Sequence, residues 1–165
     1  MRIAICYYGL SSNLGNVQNS NAVNLPVNYQ KAFPSHKENL LDPNKADVFI
    51  HTWSSGNGKD IVEKYQPKRH IFEPQFNFIE EANQINDDPI LPMHYQRHHI
   101  LSRWYSNKKV LELKKQFEIE NGFEYDLVMV TRFDCFYHNE WNLSELDPKY
   151  FYITGGWKGP YESEL

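Results

Sequence analysis

The stretch Tyr125-Asp126-Leu127-Val128-Met129-Val130-Thr131-Arg132-Phe133-Asp134 decides the fold. It is an apolar, β-branched run that stops abruptly at an arginine and a carboxylate, the pattern of a buried strand with chemistry at its carboxyl end. In open α/β sheets ligands sit just beyond those ends. Arg132 and Asp134 therefore emerge where a ligand belongs, while Phe133 between them turns to the other face. A cation and an acid two residues apart on one face suit a metal-bound diphosphate. A surface ion pair at a strand end is the plain alternative.

Upstream of that run, β and α signals alternate. Residues 2–8 read as a first strand, followed over residues 9–28 by a loop rich in Asn, Ser and Gly. Such a loop is long for a compact domain, which marks it as functional or mobile. A short helix is expected over residues 29–41, broken by Pro34 and closed by Asp42-Pro43. The second strand, residues 46–53, ends in His51-Thr52-Trp53 and runs into Ser54-Ser55-Gly56-Asn57-Gly58. Residues 60–65 form a short helix and residues 69–73 a third strand. A long helix runs from about His94 to Asn121, stopped by Asn121-Gly122. Its positions Ser102, Ser106, Val110, Leu113 and Phe117 share one face, hydroxylated at one end and apolar at the other. The hydroxylated end is expected to border a polar pocket. The fourth strand covers residues 125–136, and a fifth β segment is expected over residues 149–154. This alternation, with right-handed crossovers, gives a single α/β domain with a mostly parallel sheet flanked by helices.

Composition narrows the function classes. The chain has 165 residues, 41% hydrophobic, enough for one real core. With a net charge of -4 and no basic stripe, it lacks the cation excess that drives nucleic-acid binding. The two cysteines, Cys6 and Cys135, each lie in an apolar segment and read as free thiols in a reducing compartment. The N-terminal apolar run is too short for a signal peptide or a membrane span, so the expected location is cytoplasmic. Aromatic residues make up 15% of the chain and supply flat faces for stacking on bases or sugars, or simply fill a small core. The first loop has neither a phosphate-loop lysine nor a dinucleotide fingerprint, and no nucleophile elbow occurs. His94 and His98 stand four apart on a helix, a zinc-like spacing, but no third ligand is paired with them or with His99. A solvated or capping role is expected there, and His51 reads equally as pocket lining or as a satisfied core residue.

Four blocks in order carry a resemblance: Arg2-Ile3-Ala4-Ile5-Cys6-Tyr7-Tyr8-Gly9; Ala46-Asp47-Val48-Phe49-Ile50-His51-Thr52-Trp53; Ser102-Arg103-Trp104-Tyr105-Ser106 with Lys108; and Asp126 through Asp134. Over roughly residues 1–140 the chain resembles a group of glycosyltransferases from viruses, phages and bacterial surface-polysaccharide loci, assigned to the GT-A type of nucleotide-diphospho-sugar transferase. The resemblance implies a Rossmann-like GT-A domain that takes a nucleotide-diphosphate sugar as donor and a glycan as acceptor. It implies donor binding by Tyr7, Tyr8, Gly9, Thr52, Trp53, Ser102, Tyr105, Arg132 and Asp134, with Mn²⁺ or Mg²⁺ held at Asp134. Where many such enzymes carry Asp-x-Asp, this chain has Arg132-Phe133-Asp134, so a guanidinium stands in place of one carboxylate. An arginine can grip diphosphate oxygens bidentately, as a metal would bridge them. Only about thirty residues follow Asp134, so the expectation is a truncated or minimal domain without the C-terminal acceptor half. Glu140, Asp147 and Glu162 are carboxylates available as a base, and spacing selects none of them. The competing reading is a non-catalytic nucleotide- or sugar-binding module.

Overall fold

A computed structural model describes residues 1–12, 28–53, 56–84 and 94–153, the side chains of residues 94–96 excepted. Four strands, β1 (Ile3–Leu10), β2 (Asp47–Trp53), β3 (Arg69–Glu73) and β4 (Leu127–Arg132), form one sheet in the order β3-β2-β1-β4. Every pairing is parallel, and Tyr8 lies opposite His51 on one side and Arg132 on the other. Helices α1 (Tyr29–His36), α2 (Asp42–Asn44), α3 (Gly58–Tyr65), α4 (Ile79–Gln84) and α5 (His94–Asn121) connect them. The chain winds outward from β1 to β3, then crosses back to lay β4 on the far side of β1. Strands β3-β2-β1 have the order of one half of a Rossmann-like sheet and β4 begins the other side, so the winding direction reverses between β1 and β4.

A central parallel strand must be apolar on both faces. In β1, Ile3, Ile5 and Tyr7 pack with Val48, Ile50, Tyr29, Leu40, Ile61 and Tyr65 beneath α1 and α3. Ala4, Cys6 and Tyr8 pack on the other face with Phe49, Val110 and Tyr125 beneath α5. The small Ala4 and Cys6 side chains leave room for the long helix, and burial pushes the Cys6 thiol up to about 12. The α5 face marked by Ser102, Ser106 and Val110 is buried against the sheet. Gly122 closes the helix at φ +68, a left-handed geometry that glycine adopts without a Cβ penalty.

Three elements differ from the sequence expectation. The fourth strand is Leu127–Arg132 rather than 125–136, because the flanking residues make other bonds. Tyr125 N–H donates to the Glu118 carboxylate at 2.9 Å, and residues beyond Arg132 turn onto α1. The helix expected over 29–41 runs on to Asn44, through a π-turn over Lys37–Leu41. Pro43 accounts for the turn: its ring would collide with the Asn39 carbonyl four residues back, and widening the helix relieves the clash. No strand forms over residues 149–153. That segment ties to itself, Lys149 N–H donating to Asp147 Oδ1 and Tyr152 Oη accepting Asp147 N–H, both at 3.0 Å. Residue 154 and most of the 9–28 loop lie outside the described residues. None of the described helices is long and apolar enough to cross a membrane.

Glu118 ties the end of α5 to the start of β4. It is 2% exposed and also takes Lys114 Nζ at 3.0 Å. Burial raises its carboxyl pKa, but the Tyr125 amide and the lysines outweigh burial and hold it below the ordinary 4.5. Replacing it by alanine leaves a buried N–H and a lysine unmatched and is expected to cost about 2 kcal/mol in urea unfolding. Because the folded pKa is depressed, this contribution is full above pH 4.5 and disappears as pH falls further. The Glu118→Ala deficit should therefore shrink in acid.

Candidate functional site

The crevice beyond the carboxyl ends of β1 and β4, where the winding reverses, is the expected ligand position in an open parallel sheet. Tyr8 and Arg132 are register partners there and point to the α5 side of the sheet. Arg103, on α5, donates from Nε to the Tyr8 hydroxyl at 3.0 Å, its guanidinium 5.9 Å from the ring centroid. Tyr8 thus has an arginine on its strand neighbour and another on the overlying helix. Arg132 forks onto Asp134, Nε to Oδ1 at 2.8 Å and Nη2 to Oδ2 at 2.5 Å. Partial burial works against the Arg132 charge, but the Asp134 hydrogen bonds and charge outweigh it and raise its pKa. The pair is half open to solvent, with the two side chains 46% and 31% exposed. Surface pairs of this kind contribute about 1 kcal/mol or less, so an anion of higher charge can displace the carboxylate.

Beside this crevice a buried polar chain crosses the sheet. Gly9 N–H donates to Ser106 Oγ at 2.8 Å, Ser106 Oγ meets His51 Nδ1 at 2.7 Å, and His51 Nε2 meets Glu73 Oε1 at 2.7 Å. The carboxylate accepts, so Nε2 carries the proton and Nδ1 receives the serine hydroxyl. Burial lowers the His51 pKa, partly opposed by Glu73, and keeps the ring neutral. The same residue types serve nucleophilic catalysis elsewhere. Here Ser106 is fully buried and its oxygen already takes the Gly9 amide, so the chain positions the carboxyl end of β1 rather than attacking a substrate. Gly9 itself sits at φ +93. Trp53 stacks on Tyr105, centroids 5.5 Å apart, both meet the His51 ring, and Phe76 meets the stacked pair edge-on, so the aromatic group covers the histidine. Ser102 Oγ accepts from Gln75 Nε2 at 3.2 Å.

Of the residues expected to bind a donor, Tyr8, Trp53, Ser102, Tyr105 and Arg132 share the α5 side of the sheet, with Asp134 held to Arg132 and Gly9 at the carboxyl end of β1. Tyr7 and Thr52 do not join them, because side chains alternate along a strand and their neighbours Tyr8 and Trp53 take the α5 side. Tyr7 packs against His36, Tyr65 and Phe133 in the opposite core, and Thr52, the register partner of Gly9, is buried on that same face. Arg103 and Glu73 were not singled out from sequence. Arg103 lies one turn before Ser106 on the same helix, a signal visible only once the Ser106 face is fixed; Glu73 is brought to His51 by strand pairing alone.

Metal ligation finds little support in the donor set. Among the described residues no group of three or more His, Cys, Asp and Glu could hold an ion, and the Asp134 oxygens both face Arg132. His98 Nδ1 accepts Phe78 N–H at 3.0 Å, which fills one nitrogen; the His94 side chain lies outside the described residues. A cavity of about 350 Å³ lies at the other end of the sheet, around the start of β2. Lys37 pairs with Asp42 and Lys68 with Asp47 in its lining, Lys64 pairs with Asp60 beside it, and the cavity sits away from the strand carboxyl ends, so it is not the candidate site. Comparison with protein-family models, curated proteins and solved structures gives no match.

Ser106→Ala is expected to cost about 1–3 kcal/mol in denaturant unfolding, since it strands the Gly9 amide and His51 Nδ1 in the interior. Among the described residues two histidines are buried, His36 and His51, and both have pKa values lowered from 6.5, burial being the main cause. The unfolded chain then binds more protons between the folded and unfolded values, so stability is full above pH 6.5 and falls as pH drops below it. A thermal midpoint flat down to pH 5 would contradict this expectation.

Proposed function

We propose that this chain binds a nucleotide-diphosphate sugar and acts as a GT-A-type glycosyltransferase, delivering the sugar to a glycan or polysaccharide acceptor. The observation that carries the reading is the pairing of Tyr8 with Arg132 at the switch point, with Arg103 reaching the same tyrosine from α5. In glycosyl transfer, negative charge develops on the departing nucleoside diphosphate, and groups fixed in advance at that position lower the barrier. Two guanidiniums over one crevice suit that task, Arg132 through its planar fork and Arg103 beside the Tyr8 hydroxyl. Asp134 holds the Arg132 fork in place until a diphosphate with more charge takes it over. The two arginines carry the charge stabilisation in this reading, and among the described residues no group of three or more His, Cys, Asp and Glu would hold an ion beside them. The four ordered sequence blocks and the parallel sheet support the donor half of this reading. Glu140 and Asp147 are exposed and neither is assigned as the base, while Glu162 lies outside the described residues.

A binding module without turnover is the second reading, favoured by the engagement of Asp134 with Arg132, which leaves no free carboxylate on that strand end to act as a base.

Calorimetric titration with a panel of nucleoside diphosphates and their sugars, in Mn²⁺ and in chelator, tests the proposal. Arg132→Lys should weaken diphosphate binding about tenfold or more, since a point-charge ammonium cannot reproduce a two-bond grip. Asp134→Asn should weaken binding about tenfold in Mn²⁺ and in chelator alike, because the charged fork that holds the Arg132 guanidinium ready for the ligand is lost. Loss of binding by Asp134→Asn confined to Mn²⁺ would instead make the carboxylate a metal ligand. Wild-type affinity in both variants would remove the crevice from the donor site. Sugar release or transfer from the bound donor distinguishes the enzyme from the binding module.

A further inference from the structure

The segment that follows Arg132 is strapped to the opposite face of the sheet by the helix over residues 29–44. His36 Nε2 donates to the Cys135 carbonyl at 2.6 Å, Asn39 Nδ2 to the Tyr137 carbonyl at 2.6 Å, and Asn44 Nδ2 to the Trp141 carbonyl at 2.6 Å. In return, Trp141 N–H donates to the Asn39 carbonyl at 2.8 Å and Leu143 N–H to Asn44 Oδ1 at 2.8 Å. The π-turn makes the Asn39 bond possible. An α-helix would direct that carbonyl at residue 43, and Pro43 has no N–H to give. The carbonyl is left free, and Trp141 takes it.

His36 is the deepest of these clamps. It is fully buried, its Nδ1 lies 2.9 Å from the Tyr65 hydroxyl, and its ring meets Tyr7 and Tyr137 at centroid distances of 5.3 and 5.4 Å. A carbonyl only accepts, so Nε2 carries the proton toward Cys135 and Nδ1 receives the tyrosine O–H. Both ring nitrogens are thereby committed in the neutral form. The Cys135 carbonyl belongs to the peptide that joins Cys135 to Phe136, so holding it anchors the turn one residue beyond Asp134 and limits the rotation of the short segment from which the Asp134 side chain reaches Arg132.

We propose that His36 is a positioning residue for the Arg132–Asp134 pair, acting through the Cys135 carbonyl from the face of the sheet that the crevice does not use. The proposal rests on the reading of that crevice as a diphosphate site, and its test separates the two. Cys135 is partly exposed, whereas Cys6 is buried with its thiol pushed up to about 12, so a thiol reagent under native conditions reports on Cys135. His36→Leu keeps bulk and removes both hydrogen bonds; His36→Gln places an amide N–H where Nε2 stood. His36→Leu should speed Cys135 labelling about tenfold and weaken nucleoside diphosphate binding about tenfold, while His36→Gln stays within about threefold of wild type in both. A role confined to stability would lower the thermal midpoint of both variants without this split in labelling. If His36→Leu does not fold, Asn39→Ala, which removes the next clamp on the same strap, is expected to speed labelling in the same way. Labelling at the wild-type rate in the folded variants overturns the proposal, as does unchanged diphosphate affinity in a variant whose Cys135 has been released. If the wild-type protein binds no nucleoside diphosphate, the donor reading fails, and faster labelling in His36→Leu still upholds the strap.

Discussion

The contact between Ser106 and the Gly9 amide, with His51 and Glu73 behind it, is the constraint on which the rest of the arrangement depends. It joins β1, α5, β2 and β3 through a buried serine and histidine that end on a partly exposed glutamate, and a buried polar group without a partner costs about 1–3 kcal/mol. Each member satisfies the next, so the chain is stable only when complete. Completing it sets the rotation and height of α5 over the sheet, because Ser106 must meet both the carboxyl end of β1 and the β2 histidine. With that register set, Arg103 falls one turn back and over Tyr8. The crevice geometry is thus a consequence of a contact that lies beneath it.

The two faces of the sheet solve the same problem with different parts. On the α5 side, one histidine lies between a serine and a glutamate; on the α1 side, the other lies between a tyrosine and a main-chain carbonyl. In both places an aromatic shell excludes water, with Trp53 and Tyr105 on one face and Tyr7, Tyr65 and Tyr137 on the other. Burial keeps both rings neutral, which lets each histidine act as donor at one nitrogen and acceptor at the other. The strand ends that carry Tyr8 and Arg132 are therefore held from above and below. Rigid support of this kind is what a site needs if its charged groups are to meet a ligand without reorganising.

The Arg132–Asp134 pair gives this support a chemical meaning. Its fork is well formed but half solvated, so it stores little stability and is easily exchanged for a ligand oxygen. A chain with two carboxylates at this point would need an ion between them and a diphosphate. Here one of those positions already carries the positive charge. The carboxylate that remains keeps the guanidinium oriented while no ligand is present.

The sequence by itself determined the parallel class and the buried character of Ile3–Leu10 and Asp47–Trp53, because those follow from periodicity and β-branched runs that are local properties. Leu127–Arg132 reads as equally buried, yet it lies at the sheet edge with Val128 and Val130 exposed, since among the described residues no further strand or helix covers them. The sequence also determined that Arg132 and Asp134 stand at a strand end, and that Ser102, Ser106 and Val110 share a helix face. Only the tertiary structure decided which residues meet. Tyr7 and Tyr8 are adjacent and chemically alike, and strand alternation alone sends one into the core and the other to the crevice. His51 finds Glu73 across 22 positions and His36 finds Cys135 across 99, distances over which no pattern in the chain carries information. The aromatic run at residues 149–153 looked like a strand by composition, yet a strand exists only where another offers its edge, and this segment bonds to itself instead. Local chemistry sets what each segment can be, and pairing between distant segments sets what it becomes.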